Sequence, residues 1–277
     1  MKRLSILLQN DASVTAPEQN LNEIYLVVLS SSVGDGYSES EKAEVCETLR
    51  LILGTISILF SSLSATSLAR LLHIAQEDVN QTLVDLYSIL NIPEKRTNPI
   101  HLHHPSFRDF LLDRRRCHNP DFWVNEIEAH RALAKNCLRL MSSSFKTDIC
   151  SLRAPGTLVS EVDGSRVEQY LPAELQYASQ YWIQHFHQSK IFFHHNSRAH
   201  RFLQKHLLHW FEVLSLIGSV SDGILGLEML QSIARVSHQK VTVQKYTTKM
   251  VEFSSLTEIC MRCFTMRNDS FSIADQS

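Results

Sequence analysis

The segment that decides the fold is SATSLARLLHIAQEDVNQTLVDLYSIL, residues 64–90. Ser64 precedes a short run with helical periodicity and can cap it, and a second run follows after almost no linker. Apolar side chains of the second run recur at the spacing of one helix face: Val79, Leu83, Leu86, Tyr87 and Leu90. The segment therefore predicts a helix-turn-helix.

The flanking segments supply further elements. Upstream, Ser40 precedes EKAEVCETLRLILGTISIL, residues 41–59, which predicts a helix with one apolar face. Downstream, Pro93 ends the second helix, and residues 99–103 form a short extended piece typical of one arm of a β-hairpin. The sequence SFRD at 106–109 has capping-box form and predicts a helix whose last turn contains the three arginines 114–116.

These elements, in this order, are the parts of a winged-helix domain, which we place at residues 41–118. Residues 1–40 form a loop and a short helix before it. Residues 119–236 contain long amphipathic segments rich in Leu, Trp and His, which predict a helical bundle. Residues 237–277 are rich in Ser and Thr and lack periodicity, so we expect a divergent, poorly ordered tail. The predicted fold class is mainly α, with a winged-helix domain followed by a helical bundle.

Composition agrees with a helical chain and excludes some partners. Only 8 of the 277 residues are glycine, about half the 7% share that is typical, so there is little material for hairpins and phosphate-binding loops. The net charge is −2. Because neither sign of charge dominates, the chain as a whole has no field that attracts nucleic acid or an anionic membrane.

The sequence also indicates a cellular compartment. The longest apolar stretch, residues 51–60, is about half a membrane span and is interrupted by Gly54, Thr55 and Ser57. The apolar run after Met1 stops at Leu8, too early for a secretory leader. Six cysteines lie mostly far apart. We therefore expect a cytoplasmic protein with reduced thiols and no contact with a membrane.

Motifs for nucleotide hydrolysis and other catalysis are absent from the sequence. A P-loop requires a Gly-Lys dipeptide, because the backbone amides wrap the phosphates while the lysine reaches their oxygens, and no such dipeptide occurs. The nucleophile elbow, the H-E-x-x-H zinc motif and the dinucleotide-binding fingerprint are also missing. We expect no enzyme activity and no cofactor.

The second helix of the helix-turn-helix bears on DNA binding. A recognition helix approaches phosphates and usually carries basic or amide side chains toward the base edges. Residues 76–89 contain Glu77, Asp78 and Asp85 but no Lys or Arg. We therefore expect this helix to pack against protein, with DNA binding as the less favoured alternative.

Two groups of residues have spacings that are compatible with a metal site. His206, His209 and Glu212 are three residues apart on one predicted helix, but they alternate with large apolar residues, which favours partly buried structural histidines. Cys260 and Cys263 form a single C-x-x-C without a second half. We predict no metal ion at either place.

Three histidines, His101, His103 and His104, lie just before the helix predicted to start at Ser106. A histidine there could donate to an anion near the helix N-terminus. Taken from chemistry alone, surface histidines in a loop are the favoured interpretation.

Several blocks together resemble one known family. They are LGTISILFSSLSATSLARLL, HHPSFRDFLLD, DFWVNEIEAH, RLMSSSFKTDIC, YASQYWIQH and FLQKHLLHWFEVLSLIG. In this order, between residues 21 and 232, they resemble the region after the NACHT ATPase core in fungal vegetative-incompatibility-type NLR-like proteins of the STAND class. The larger members of that family end in WD40 repeats. The resemblance implies a winged-helix domain followed by a helical linker.

The resemblance also implies a role for one histidine. In related signalling ATPases a winged-helix histidine contacts the β-phosphate of ADP and holds the resting state closed, and His104 in HPSFRDF is the matching position. This contact requires a NACHT core, which the chain lacks. We therefore expect a non-catalytic regulatory fragment whose partner is a NACHT-type ATPase core or another protein. The alternatives are a DNA-binding winged-helix regulator and a truncated gene product without function.

Overall fold

The computed structural model describes residues 17–34, 36–153, 159–234, 240 and 242–249. These residues are mainly helical, as predicted, with one two-stranded sheet. In chain order the elements are α1 (Pro17–Val33), α2 (Glu39–Ile58), α3 (Ala65–Leu72), α4 (Gln76–Val84), β1 (Leu90–Asn91), β2 (His101–Leu102), α5 (Ser106–Leu112), α6 (Glu126–Ser144), α7 (Gly164–Tyr170), α8 (Ala173–Gln188), α9 (Arg198–Leu216), α10 (Val220–Ser232) and α11 (residues 242–249). A short 3₁₀ turn, Val159–Glu161, precedes α7.

The first two helices begin and end differently from the prediction. Helix α1 continues through the serine run to Val33, which is buried on the same helix face as Leu29. The hydroxyls of Ser31 and Ser32 donate to backbone carbonyls one turn earlier, so these polar groups are satisfied within the helix. Helix α2 is capped by Ser38, two residues before the serine that we expected. Its hydroxyl accepts from the amide of Glu41, while the Glu41 carboxylate accepts from the amide of Ser38 at 2.8 Å.

Helices α3 and α4 form the predicted helix-turn-helix. Ser64 caps α3 as predicted, and His73 ends it in the left-handed conformation with φ of 60°. Helix α4 ends at Val84, so Tyr87 does not lie on its apolar face and is 59% exposed, contrary to the prediction. The other predicted apolar positions are buried: Val79, Leu83, Leu86 and Leu90.

A hairpin follows the pair. Strands β1 and β2 are antiparallel, with Leu90 opposite Leu102 and Asn91 opposite His101. After β2 comes α5, but the predicted capping box is wrong. Pro105 occupies the cap position, and no side chain caps the helix. The arginines 114–116 lie in a turn beyond the last helical residue, Leu112, so their predicted place in the final helical turn is also wrong.

Helices α6 to α11 form a bundle with its own apolar core. Helix α6 packs along α8, α9 contacts both α6 and α8, and α10 packs against α8 and α9. Trp182 and Trp210 are buried at the centre with ring centroids 5.7 Å apart. One face of α6 is buried, as expected for an amphipathic segment, and consists of His130, Leu133, Ala134, Cys137, Leu138 and Met141. Ile127, in the first turn, is 41% exposed.

Part of the predicted tail belongs to this bundle. Residues 242–249 are helical, and Val243 and Tyr246 are buried in the bundle core, which corrects the expectation of a poorly ordered segment there. Their spacing of three residues is a helical signal that the Ser- and Thr-rich composition obscured. The rest of the tail, including Cys260 and Cys263, lies outside the described residues.

The two halves of the chain have separate apolar clusters that meet along α3 and α8. Helices α1 to α5 supply one cluster, and the bundle forms the other together with Ile58, Leu63 and Leu71 of the first half. The Arg70 guanidinium of α3 contacts the buried Glu174 carboxylate of α8 at 3.0 Å. The amide of Phe60 donates to the Tyr177 hydroxyl. The domain boundaries at residues 40, 118 and 236 stay a prediction.

In the described part of the chain, no helix is both long enough and apolar enough for a membrane crossing.

Candidate functional site

The candidate site is the link between β2 and α5, which contains His103, His104 and Pro105. The amide of His103 donates to the carbonyl of Ile89, and its Nε2 lies 3.1 Å from the carbonyl oxygen of Tyr87. The link is therefore fixed against β1. His101 contacts the Ser62 hydroxyl through Nδ1 at 3.0 Å. The three histidines that the sequence groups together thus have different partners.

The ring of His104 is held by the first residue of α5. The backbone amide of Ser106 donates to Nδ1 of His104 at 3.1 Å, and the Ser106 hydroxyl lies 2.6 Å from the same atom. Because an amide can only donate, Nδ1 must carry a lone pair. The neutral ring therefore carries its proton on Nε2. The side chain is exposed, so it presents this N–H as a donor.

Helix α1 completes the arrangement from a distant part of the sequence. The Tyr25 hydroxyl lies 2.8 Å from the Ser106 hydroxyl. The Tyr25 ring is buried and packs edge-on against Phe107, with centroids 5.0 Å apart. A continuous hydrogen-bonded chain thus joins Tyr25, Ser106 and His104. Tyr25 is not among the residues predicted from the sequence, although its spacing of four residues from Leu29, and of eight from Val33, is a helical signal.

The arginines near this site are engaged in local contacts. The Arg116 guanidinium donates to the side-chain oxygen of Asn22 in α1. Arg114 lies over the ring of Trp123, 5.2 Å from its centroid. Arg115 contacts Asp113. The three consecutive arginines, the basic cluster that a DNA-binding regulator would use, therefore contact α1 and the turn and segment that follow α5.

Helix α4 presents an acidic surface. Glu77, Asp78 and Asp85 are all exposed. A duplex that docked here would bring its phosphates toward carboxylates, and like charges repel.

The predicted histidine and glutamate group of α9 separates in the structure. Nδ1 of His206 lies 3.3 Å from Nδ1 of His209. Glu212 is buried elsewhere and accepts from the amide of Ile149 at 3.0 Å. Burial raises the pKa of Glu212 to about 7. Among the described residues, no group of three or more His, Cys, Asp and Glu side chains could hold a metal ion.

A buried polar network that the sequence did not predict joins α6 and α8. The Tyr177 hydroxyl lies 2.6 Å from Nε2 of His185, and Nδ1 of His185 lies 2.8 Å from Nδ1 of His130. Burial lowers the pKa of His185 to about 3 and also lowers that of His130. The two neutral rings and the tyrosine can be satisfied in one direction, with Tyr177 donating to His185 and His185 donating to His130. The network stabilises the α6–α8 contact.

No protein-family model matches the chain, and no solved structure matches it either. The chain is similar to the vegetative incompatibility protein HET-E-1 of Podospora anserina, with 26% identity over 215 residues. This match covers 70% of the chain but only 16% of the relative's length. The similarity relates the chain to a vegetative incompatibility protein of which it spans a small part.

Proposed function

We propose that this chain is a non-catalytic regulatory region of a NACHT-type signalling protein. It packs against a nucleotide-binding core and biases the equilibrium between the closed and open states of that core. Two features support the relationship: the similarity to a vegetative incompatibility protein and the sequence blocks that resemble the region after a NACHT core. The order α2, α3, α4, the β1–β2 hairpin and α5 supports a winged-helix assignment for the first half.

The observation that carries the proposal is the fixed tautomer of His104. A sensor of the β-phosphate of ADP must offer a hydrogen-bond donor to an anionic oxygen. The Ser106 amide occupies Nδ1 and leaves the Nε2 proton on an exposed ring. His104 therefore presents the correct group without having to be protonated. In this proposal the core supplies the remaining phosphate contacts, since the chain has no P-loop.

The first test is a calorimetric titration of the purified chain with Mg-ADP and Mg-ATP. We expect no measurable heat of binding, because one histidine cannot hold a nucleotide without the phosphate-binding loop. Tight nucleotide binding by the chain alone would refute the regulatory role.

The second test uses the chain together with a purified NACHT-type core loaded with ADP. The change is His104→Ala, and the matched control is His101→Ala, which removes an exposed histidine of the adjoining strand β2. We expect His104→Ala to speed ADP release about tenfold, the effect of losing one hydrogen bond to a charged acceptor. The control should leave release unchanged. Equal release rates for the wild type and the His104 variant would remove the sensor role.

A DNA-binding regulator is the alternative function, and the structure offers it less support. The exposed face of α4 is acidic and the nearby arginines are engaged. Binding of a short DNA duplex by the chain in a mobility-shift measurement would favour this alternative.

A further inference from the structure

A groove between α6 and α9 is lined by five cationic side chains. Lys135 and Arg139 belong to α6, whereas Arg198, Arg201 and Lys205 belong to α9. The cavity has a volume of about 490 Å³. Its other lining residues are Leu138, Ser142, Phe202 and His206, so no carboxylate lines it. This groove lies in the bundle, away from the link that contains His104.

Among the described residues, none of the five cations forms an ion pair, although the Glu128 carboxylate, which pairs with Arg131, lines the adjoining cavity. The Arg139 guanidinium donates to the backbone carbonyl of Leu72 at 3.4 Å. All five side chains are exposed and can reach a ligand.

The spacing of these charges costs stability in the free protein. Lys135 and Arg139 are four residues apart on α6, as are Arg201 and Lys205 on α9. Like charges at this spacing destabilise a helix by about 0.2–0.5 kcal/mol per pair. An anion bound between the two helices would offset both repulsive pairs at once.

The dimensions of the cluster favour a compact ligand. With a rise of about 1.5 Å per residue, the cations of α6 extend over about 6 Å and those of α9 over about 10 Å. Five charges within this length match a small molecule with several phosphate groups. A nucleic acid duplex would need a longer basic track, and the net charge of −2 gives it no long-range attraction.

Two further features lie in the same groove. Helix α9 begins at Arg198, so the partial positive charge of its N-terminus adds to the cluster. The ring of His206 lines the groove but is only 4% exposed, and within the described residues its Nε2 has no hydrogen-bond partner. Burial, His209 and Lys205 lower the pKa of His206 to about 4. An anion bound in the groove would favour the protonated ring and so raise the pKa of His206.

We propose that the groove between α6 and α9 binds a compact polyphosphate anion, either a free small molecule or the headgroup of a phosphorylated lipid. The guanidinium and ammonium groups of the five cations hold its phosphate oxygens by charge-assisted hydrogen bonds. This binding requires neither His104 nor a nucleotide-binding core, so it can fail or succeed independently of the proposed function.

The test is calorimetry of the full chain with myo-inositol hexakisphosphate at about 0.1 M salt, where exposed charges are already partly screened. The disrupting variant is R201E/K205E. The matched control is K95E/R96E, which makes the same change in charge at exposed positions of the β1–β2 hairpin. We expect R201E/K205E to weaken binding about 100-fold, since each lost contact to a charged group is worth about tenfold. The control should change the affinity less than about threefold.

Parallel measurements identify the source of the anion. Vesicles of phosphatidylcholine, with and without phosphatidylinositol bisphosphate, are tested by co-sedimentation, and a short DNA duplex is tested by mobility shift. Binding of the soluble probe, or of the phosphoinositide vesicles alone, supports the proposal and assigns the source to the small molecule or to the lipid. Absence of binding to both, equal loss in the two variants, or tighter binding of the duplex overturns it.

A measurement on the wild type covers the case in which R201E/K205E does not fold. In proton NMR spectra recorded during titration with myo-inositol hexakisphosphate, the ring resonances of His206 should shift, because the ring lines the groove. Those of His73, at the end of α3, should not. Unchanged His206 resonances at saturation would place the anion elsewhere and overturn the assignment.

Discussion

At the scale of single residues, Ser106 connects two side chains that lie at very different distances in the sequence. His104 precedes it by 2 positions, whereas Tyr25 of helix α1 is 81 positions away. The amide fixes the tautomer of His104, and the hydroxyl lies within hydrogen-bond distance of both His104 and Tyr25. A serine at the start of a helix usually caps it by accepting from an amide one turn later. Here that role is lost, because Ser106 is already the first helical residue and its hydroxyl is engaged by other side chains.

Glu212 should make the stability of the chain depend on pH. Burial raises the pKa of its carboxyl to about 7, whereas in the unfolded chain the pKa is close to the ordinary value of about 4.3. The folded state therefore holds the proton more tightly than the unfolded chain does. The contribution of Glu212 to the free energy of unfolding is fully present below about pH 4 and is lost as the pH rises through 7. We expect Glu212→Gln to be more stable than the wild type at pH 8, by about 2 kcal/mol.

Urea denaturation of both proteins from pH 5 to pH 8 measures this difference. Glutamine keeps an oxygen that can accept from the amide of Ile149, so the hydrogen bond itself is not removed. The lowered pKa values of His185 and His206 have the opposite effect, because the stability that these neutral histidines contribute is lost at acid pH. Both histidines are present in the wild type and in the Glu212 variant, so their effect cancels in the difference between the two proteins. A difference that does not grow with pH would contradict the raised pKa.

At the scale of elements, Gly54 sets the distance between α2 and the segment before α6. A methyl group at Gly54 would lie 2.9 Å from one methyl carbon of Val124 and 3.2 Å from the other. Alanine favours a helix over glycine by about 1 kcal/mol, but overpacking costs about 1–3 kcal/mol. Because Val124 is branched and buried, we expect the clash to dominate, with Gly54→Ala losing about 1 kcal/mol in thermal or urea denaturation.

Gly164, in the first turn of α7, is the matched control. Within the described residues, no atom beyond its chain neighbours and its own helix backbone lies within 4 Å of a methyl group added there, so Gly164→Ala should be neutral or slightly stabilising. Adding Val124→Ala to Gly54→Ala should relieve the clash and recover part of the loss. If Gly54→Ala and Gly164→Ala change the stability by the same amount, the close approach of α2 and Val124 does not require a glycine at position 54.

The elements also show where the sequence sufficed and where it did not. Periodicity predicted α2, α3 and α6 and the burial of most of their apolar faces, because these helices bury a face that local spacing defines. It missed the end of α1, where side chains of serine donate to the helix backbone. It also missed the contact of Tyr25 with Ser106 and that of His130 with His185, which join residues 81 and 55 positions apart. Local spacing carries no information about such pairs.

For the whole molecule, the contact between its two apolar clusters depends on an asymmetric ion pair. Glu174 of α8 is 3% exposed, whereas the side chain of its partner Arg70 in α3 is 61% exposed. Removing the arginine would leave a carboxylate buried without a counter-ion, which costs far more than losing a surface pair. Arg70 therefore contributes to the joining of the two halves mainly by compensating a charge that the bundle has buried.

Arg70→Ala should destabilise the chain by about 2 kcal/mol in urea denaturation. This is below the 3–5 kcal/mol typical of a broken buried pair, because Glu174 lies in the first turn of α8, where the helix dipole also favours a carboxylate.

The control is Arg108→Ala, which removes a pair with Glu126 whose two side chains are about half-exposed, and it should cost less than about 0.5 kcal/mol. Glu174→Gln in the Arg70→Ala background should restore part of the loss, since it removes the buried charge. Hydrogen exchange should show the lost protection first in α3 and the start of α8. Equal costs for the two arginine variants would mean that the buried carboxylate does not need Arg70, and apolar contact with hydrogen bonds such as that from Phe60 to Tyr177 would then hold the two halves together.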